Sequence, residues 1–203
     1  MWVGADDDVM RPGPPPTSGP FRVFVYASFI PLHGLEHVVR AAHLLERRNE
    51  DVQIDIVGSG VTARATEQLA TDLGTTNVKF LGRRRYEELP RLMAASHLCL
   101  GIFGTSPKAQ RVIPNKVFDA LATARPVLTA DTPAAREVLV DGENAGLCAP
   151  GDAEAIADAI TTLKHDEALR VRIAEQGHEL FRERFSIAAL SRDVTALMLD
   201  ALA

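Results

Sequence analysis

Val52-Gln53-Ile54-Asp55-Ile56-Val57, followed at once by Gly58-Ser59-Gly60, is the stretch that decides the fold. Four of its first six residues, Val52, Ile54, Ile56 and Val57, are β-branched and apolar in the manner of a strand. A helical pattern then runs to about Leu73, where Gly74 supplies a C-terminal stop. The same unit stands upstream. Residues 21–27 read as a buried strand, and residues 34–48 set Leu35, Val38, Val39, Ala42 and Leu45 at helical spacing with charges between them. Downstream, residues 78–81, 98–103, 126–129 and 146–148 read as strands, separated by helices at 86–95, 115–124 and 134–140. Strands alternating with such helices imply βαβ units, hence an α/β fold on a doubly wound, Rossmann-like parallel sheet with a helical C-terminal tail. The tail comprises residues 153–163, 167–185 and 186–202. Its last helix carries Leu190, Leu197, Leu199 and Leu202, which need a surface to cover. That surface is either the domain's own sheet or a partner domain.

Composition bounds the rest. At 203 residues, 46% hydrophobic and 24% charged, the chain is long enough for one buried core. A net charge of -5 argues against nucleic acid as a partner, which calls for a basic footprint. Cys99 and Cys148 lie in apolar strand-like stretches and read as buried free thiols of a reducing compartment. Asp6, Asp7 and Asp8 stand where a secretory signal would be basic and then apolar, so a cytosolic location is expected. Residues 11–20 hold five prolines and two glycines. Residues 1–20 are therefore expected to be a linker, 21–185 the folded domain, and 186–203 a C-terminal helix that can reach a neighbouring domain.

In an open parallel sheet, ligands bind beyond the carboxyl ends of the strands. Four loops lie there. The first runs from Ser28 through Phe29, Pro31 and His33 to Gly34, where a helix starts and its free amides can meet an anion. His33 would add a proton-dependent positive charge, or lie in solvent. The second, Gly58-Ser59-Gly60, is half of a dinucleotide fingerprint or a tight turn, and no acid follows in the place that holds the ribose of NAD. The third, Gly82-Arg83-Arg84-Arg85, can face phosphates, a base or an anionic membrane surface, or be a solvated helix start. The fourth is the most informative. Pro114-Asn115-Lys116-Val117-Phe118-Asp119 opens a helix with proline, a capping asparagine and a lysine in the first turn. A cation there opposes the helix dipole, so a bound anion explains it better than stability does. Asp119, one turn on, can accept hydrogen bonds from a sugar diol.

Taken together these pieces resemble the C-terminal half of retaining GT-B glycosyltransferases of group 1, or family 4. The similarity runs over nearly the whole chain. It is carried by Gly4-Ala5-Asp6 to Arg11-Pro12, Phe29-Ile30-Pro31-Leu32-His33-Gly34, Val57-Gly58-Ser59-Gly60, Val78-Lys79-Phe80-Leu81-Gly82 and Asp119-Ala120-Leu121-Ala122 with Arg125-Pro126-Val127. Later turns at Glu137-Val138-Leu139, Asp141-Gly142, Gly146-Leu147 and Pro150-Gly151-Asp152 also match. The resemblance implies a nucleotide diphosphate sugar as substrate, transfer with retention, and no metal or other cofactor. It implies that Asp119 holds the donor ribose and that the amides of Asn115 and Lys116 meet the diphosphate. The loop after Gly82, with Arg83, would lie near the base, and His33 would stand by the phosphates. Catalysis would rest on Lys116 and His33, and binding on Ser28, Phe29, Gly34, Gly58, Gly60, Gly82, Arg83, Asn115 and Asp119. The acceptor side would come from an N-terminal domain or a partner chain, with peripheral contact to the inner face of a membrane as a further expectation.

Two departures stand out. The family often pairs two glutamates eight positions apart; here the first falls on Arg111 and the second is the shorter Asp119. The glycine before the proline-valine strand is replaced by Ala124. Two other readings stay open on the residues: a nucleotide-sugar-binding module or one half of a split enzyme, and a sugar-nucleotide epimerase or NAD-dependent enzyme of similar architecture.

Overall fold

A computed structural model describes residues 3–202. Met1, Trp2 and Ala203, the outermost residues of the expected linker and tail, lie outside the described residues. Six strands form one parallel sheet: β1 (Phe21–Ser28), β2 (Val52–Ser59), β3 (Val78–Phe80), β4 (Leu98–Leu100), β5 (Val127–Ala130) and β6 (Gly146–Cys148). Their order is β3-β2-β1-β4-β5-β6, so the chain reverses its direction of winding between β1 and β4. This reversal opens a crevice beyond the carboxyl ends of β1 and β4, where such sheets bind ligands.

Alternation along β1 divides the core. Val23, Val25 and Ala27 enter one layer with Leu35, Val38 and Leu45 of α1 (Leu35–Arg47) and with Ile156 and Ile160 of α6 (Ala153–His165). Phe24 enters the other, with Phe118 and Leu121 of α4 (Asn115–Ala122), Met93 of α3 (Leu89–Ala94) and Phe181 of α7 (Glu167–Arg184). Helices α2 (Ala63–Asp72), α5 (Pro133–Arg136) and α8 (Ile187–Leu202) complete the set. The packing of α1 against α6, and of α4 against α7, gives the two helical layers of a doubly wound fold.

Three elements end at least two residues before the sequence expectation, each for a local reason. β4 stops at Leu100 rather than at residue 103, because Thr129 Oγ1 takes the Ile102 amide at 3.2 Å in place of a ladder carbonyl. α5 ends at Arg136 rather than at residue 140, since the chain then turns and Asn144 Oδ1 accepts the Val140 amide. α4 ends at Ala122, where the Thr123 hydroxyl donates back to the carbonyls of Asp119 and Ala120.

Ala124 follows with φ 51°, a left-handed conformation that costs an alanine about 1 kcal/mol or more. Ala124→Gly is expected to raise unfolding free energy by about 0.5–1 kcal/mol in urea denaturation, the relief of strain exceeding the entropy of the unfolded glycine. An unchanged midpoint would show that the turn is unstrained.

The proline-rich leading segment lies along the domain. Ala5 and Met10 are buried in the same layer as Phe118 and Phe185, and the Gly13 carbonyl accepts a hydrogen bond from the Arg125 guanidinium. α8 packs through its first turn, where Ala189 is buried, whereas Leu197, Met198 and Leu199 are more than 60% exposed. Both cysteines are free and buried, and burial pushes each thiol up to about 12.

Candidate functional site

A cleft of about 370 Å³ lies at the carboxyl ends of β1 and β2, against the start of α4, the helix that follows β4. Among its walls are six residues singled out in the sequence: Ser28, His33, Gly58, Arg83, Asn115 and Lys116. Phe29 is buried behind it, its amide and carbonyl bonded to Ser59 and Thr62. Gly34, Gly60 and Gly82 shape the backbone around the cleft without lining it.

The floor is the start of α4. Pro114, not Asn115, takes the capping position: its extended backbone (φ -76°, ψ 151°) turns the chain into the helix, and Asn115 is the first helical residue. No side chain caps this end. The amides of Asn115 and Lys116, at the cleft, are therefore left without a capping acceptor, while the Val117 amide turns back to the Pro114 carbonyl.

Lys116 stands at this floor only 4% exposed. Its Nζ has no hydrogen-bond partner and sits 5.7 Å from the centre of the Tyr26 ring. Burial lowers its pKa to about 7, partly offset by Asp119. The full charge expected from sequence is thus held only below neutral pH in the protein alone. His33 is corrected further. It is buried at 9% exposure, its Nδ1 lacks a partner, and desolvation followed by the Lys116 charge lowers its pKa to about 4. At neutral pH it is a neutral imidazole and brings no positive charge; a solvent-exposed loop histidine is equally excluded.

Asp119 lies one turn below the cleft, 1% exposed, and does not line it. Its carboxylate accepts hydrogen bonds from the Tyr26 hydroxyl and, at 3.2 Å, from the Tyr86 hydroxyl. Desolvation raises its pKa while both tyrosines pull it down. Burial, and then the Asp119 charge, raise both phenols. Sequence reasoning misses Tyr26 and Tyr86, while Ser59 and Arg84, which also line the cleft, lie in the second and third loops singled out there. For Tyr26 a signal exists: two residues beyond Phe24 on β1, it faces α4, where a polar-tipped aromatic needs a partner. Arg83, Arg84 and Arg85 are exposed, with Arg85 pairing weakly with Glu88 at 3.9 Å. Among the described residues, no three His, Cys, Asp or Glu side chains gather as metal ligands, and no helix is long and apolar enough to cross a membrane.

Fold and cleft define a Rossmann-like domain with a crevice at the carboxyl ends of its strands. Residues 6–180 match the family model of glycosyl transferases group 1, and the chain belongs to that family. It is 30% identical over 141 residues to the lipopolysaccharide core biosynthesis glycosyltransferase LpsE of Rhizobium meliloti, an overlap covering 69% of this chain and 39% of LpsE. A phosphatidyl-myo-inositol mannosyltransferase of Mycobacterium leprae is 32% identical over 136 residues, covering 66% of this chain and 34% of that protein. The chain thus spans less than half the length of these two relatives. Among solved structures, Anabaena HepE in complex with UDP superposes with a TM-score of 0.85 at 22% identity, covering 98% of this chain and 57% of HepE. The C-terminal domain of the Francisella tularensis group 1 glycosyl transferase LpcC superposes at 0.76 with 21% identity, over 91% of this chain and 100% of that domain.

Proposed function

We propose that this chain is the donor-binding half of a retaining glycosyltransferase. It would hold a nucleotide diphosphate sugar in the cleft at the start of α4 and hand the sugar to an acceptor bound by an N-terminal domain or partner chain. The observation that carries this reading is Lys116, a buried ammonium with no partner, beside uncapped helix amides. Isolated buried cations are costly, and a diphosphate supplies the missing countercharge. The names of the relatives point the same way, as does a neighbour whose structure was solved with UDP-glucose.

In this reading the departing diphosphate gains its stabilisation from fixed amides and Lys116, with no metal ion. His33, neutral, offers hydrogen bonding rather than charge. Arg83 lies toward the base. Asp119 meets the ribose by exchanging its Tyr86 hydroxyl for the sugar diol, since both partners compete for the same carboxylate oxygen.

Calorimetric titration with UDP, GDP and NADH tests the reading. A nucleoside diphosphate should bind and NADH should not; failure of both UDP and GDP would sink it. The pH profile is a sharper test. A diphosphate favours the charged lysine, so the contribution of Lys116 should be full and independent of pH below 7, and affinity should fall by up to about tenfold per unit as pH rises above the free-state value of about 7. Lys116→Met should abolish that alkaline fall, leaving only the titration of the ligand itself.

A further inference from the structure

A second cavity, of about 490 Å³, lies at the opposite end of the sheet, beneath the amino ends of β4 and β5. His97 and Pro126, which immediately precede those strands, form its roof, and α7 its floor. One wall is the leading segment at Pro15, Pro16 and Thr17. No donor-cleft residue takes part.

The cavity's wall carries two arginines and two glutamates, and the buried one among these charges is a cation. Arg125 lines it while only 5% exposed. One guanidinium nitrogen donates to the Gly13 carbonyl, and its buried Nε has no partner. Arg170, also in the wall, spends its Nη1 on the carbonyls of Leu163 and Lys164 and lies 5.4 Å from the centre of the Phe21 ring. Neither arginine has a carboxylate ion partner among the described residues. Glu167 and Glu175 stand on exposed positions of α7 and pair with neither. His97 stacks on Phe21 at 5.0 Å and accepts the Arg22 amide through Nδ1. Burial and the combined charges of Arg170, Arg22 and Arg125 hold it below its ordinary pKa. A guanidinium does not shed its proton to escape burial, so its remaining recourse is an anion.

We infer that this cavity binds a small organic anion, a single carboxylate or phosphate on a compact apolar body. The acidic group would bridge Arg125 and Arg170, and the body would lie against Pro15, Pro16 and Val171. Because the leading segment is one wall, such a ligand would also fasten that segment to the domain.

Backbone amide NMR shifts, followed on the chain as it is titrated with phenyl phosphate, benzoate and benzyl alcohol, test this. One or both anions should give saturable shifts at His97, Arg125 and Arg170, and the neutral alcohol none; the better anion identifies which acid group the site takes. Arg170→Gln should weaken the anion about tenfold, the loss of one charge-assisted hydrogen bond, with nucleotide diphosphate binding at the other end unchanged. Arg125→Gln should weaken it at least as much, and Arg170→Gln decides the matter where loss of the Gly13 contact unfolds the leading segment. Absence of saturable shifts, shifts confined to the Lys116 cleft, or equal shifts with benzyl alcohol would overturn the inference. UDP binding is read separately, so either site can fail without the other.

Discussion

Lys116→Met is expected to weaken nucleoside diphosphate binding by roughly 10- to 100-fold at pH 6.5, the loss of a charge-assisted contact made out of water. The same substitution should make the protein more stable. A buried ammonium without a partner is a destabilising group, and methionine fills the volume with apolar atoms. The sign can be followed through pH. The folded-state pKa is about 7, below the ordinary value of 10.5 for an unfolded lysine. Below pH 7 the lysine is charged in both states and the full desolvation cost is present. Between pH 7 and 10.5 the folded protein sheds the proton first, so stability rises with pH and the advantage of the methionine variant shrinks. Urea denaturation at pH 6 and pH 9 should show a gain of about 1–3 kcal/mol for the variant at pH 6 and less at pH 9. A variant that loses both binding and stability would mean that Lys116 is structural. Opposite signs would mark a residue kept for its ligand at the expense of the fold.

Gly58→Ala should cost about 3–5 kcal/mol, enough to leave much of the protein unfolded. Gly58 has φ 133°, outside the range an alanine adopts, and an added Cβ would lie 1.8 Å from the Ala27 carbonyl oxygen. That oxygen is main chain in the paired neighbour, since Ala27 and Gly58 stand opposite each other in the β1–β2 ladder. Relief requires parting the two strands at the end where Ser28 and Ser59 line the cleft. Gly74→Ala is the control: φ is 66° but nothing lies within 4 Å of the added carbon, so about 1 kcal/mol of backbone strain is the whole cost. Thermal and urea unfolding of the two variants should therefore differ widely. Similar losses would mean that strain at φ, rather than the close approach to Ala27, governs both sites.

The sheet is legible in the sequence because its cause is local. The strands announce themselves by short apolar runs, β-branched in β1, β2 and β5, and the helices by spacing, so six strands and their helices can be placed within a few residues. Strand ends are less legible because they depend on partners far along the chain, as when Thr129 takes the Ile102 amide and shortens β4. The lysine at the start of α4 can be found because a cation in a first turn is anomalous within one short motif. The state of that lysine cannot, because its burial depends on Tyr26 and His33, which other elements bring in. Asp119 shows the same limit. Its place in the motif invites a ribose, yet Tyr86, 33 positions earlier, already occupies one of its oxygens. Prolines at 12, 14, 15 and 16 suggest a free linker, and nothing local reveals that Met10 is inserted into the core beside Phe118.

The contact of the leading segment with the end of α7 has a topological consequence. A Cβ on Gly4 would lie 2.1 Å from the Phe185 carbonyl oxygen, so the leading segment and the end of α7 meet at one point, with α8 continuing beyond it. A chain trimmed to residues 4–185 can be joined there and cut elsewhere with the contacts between the sheet and α1–α7 kept. The exposed turn at Arg48 and Asn49 between α1 and β2 offers such a cut, and a circularly permuted protein opened at that turn should refold around the same sheet.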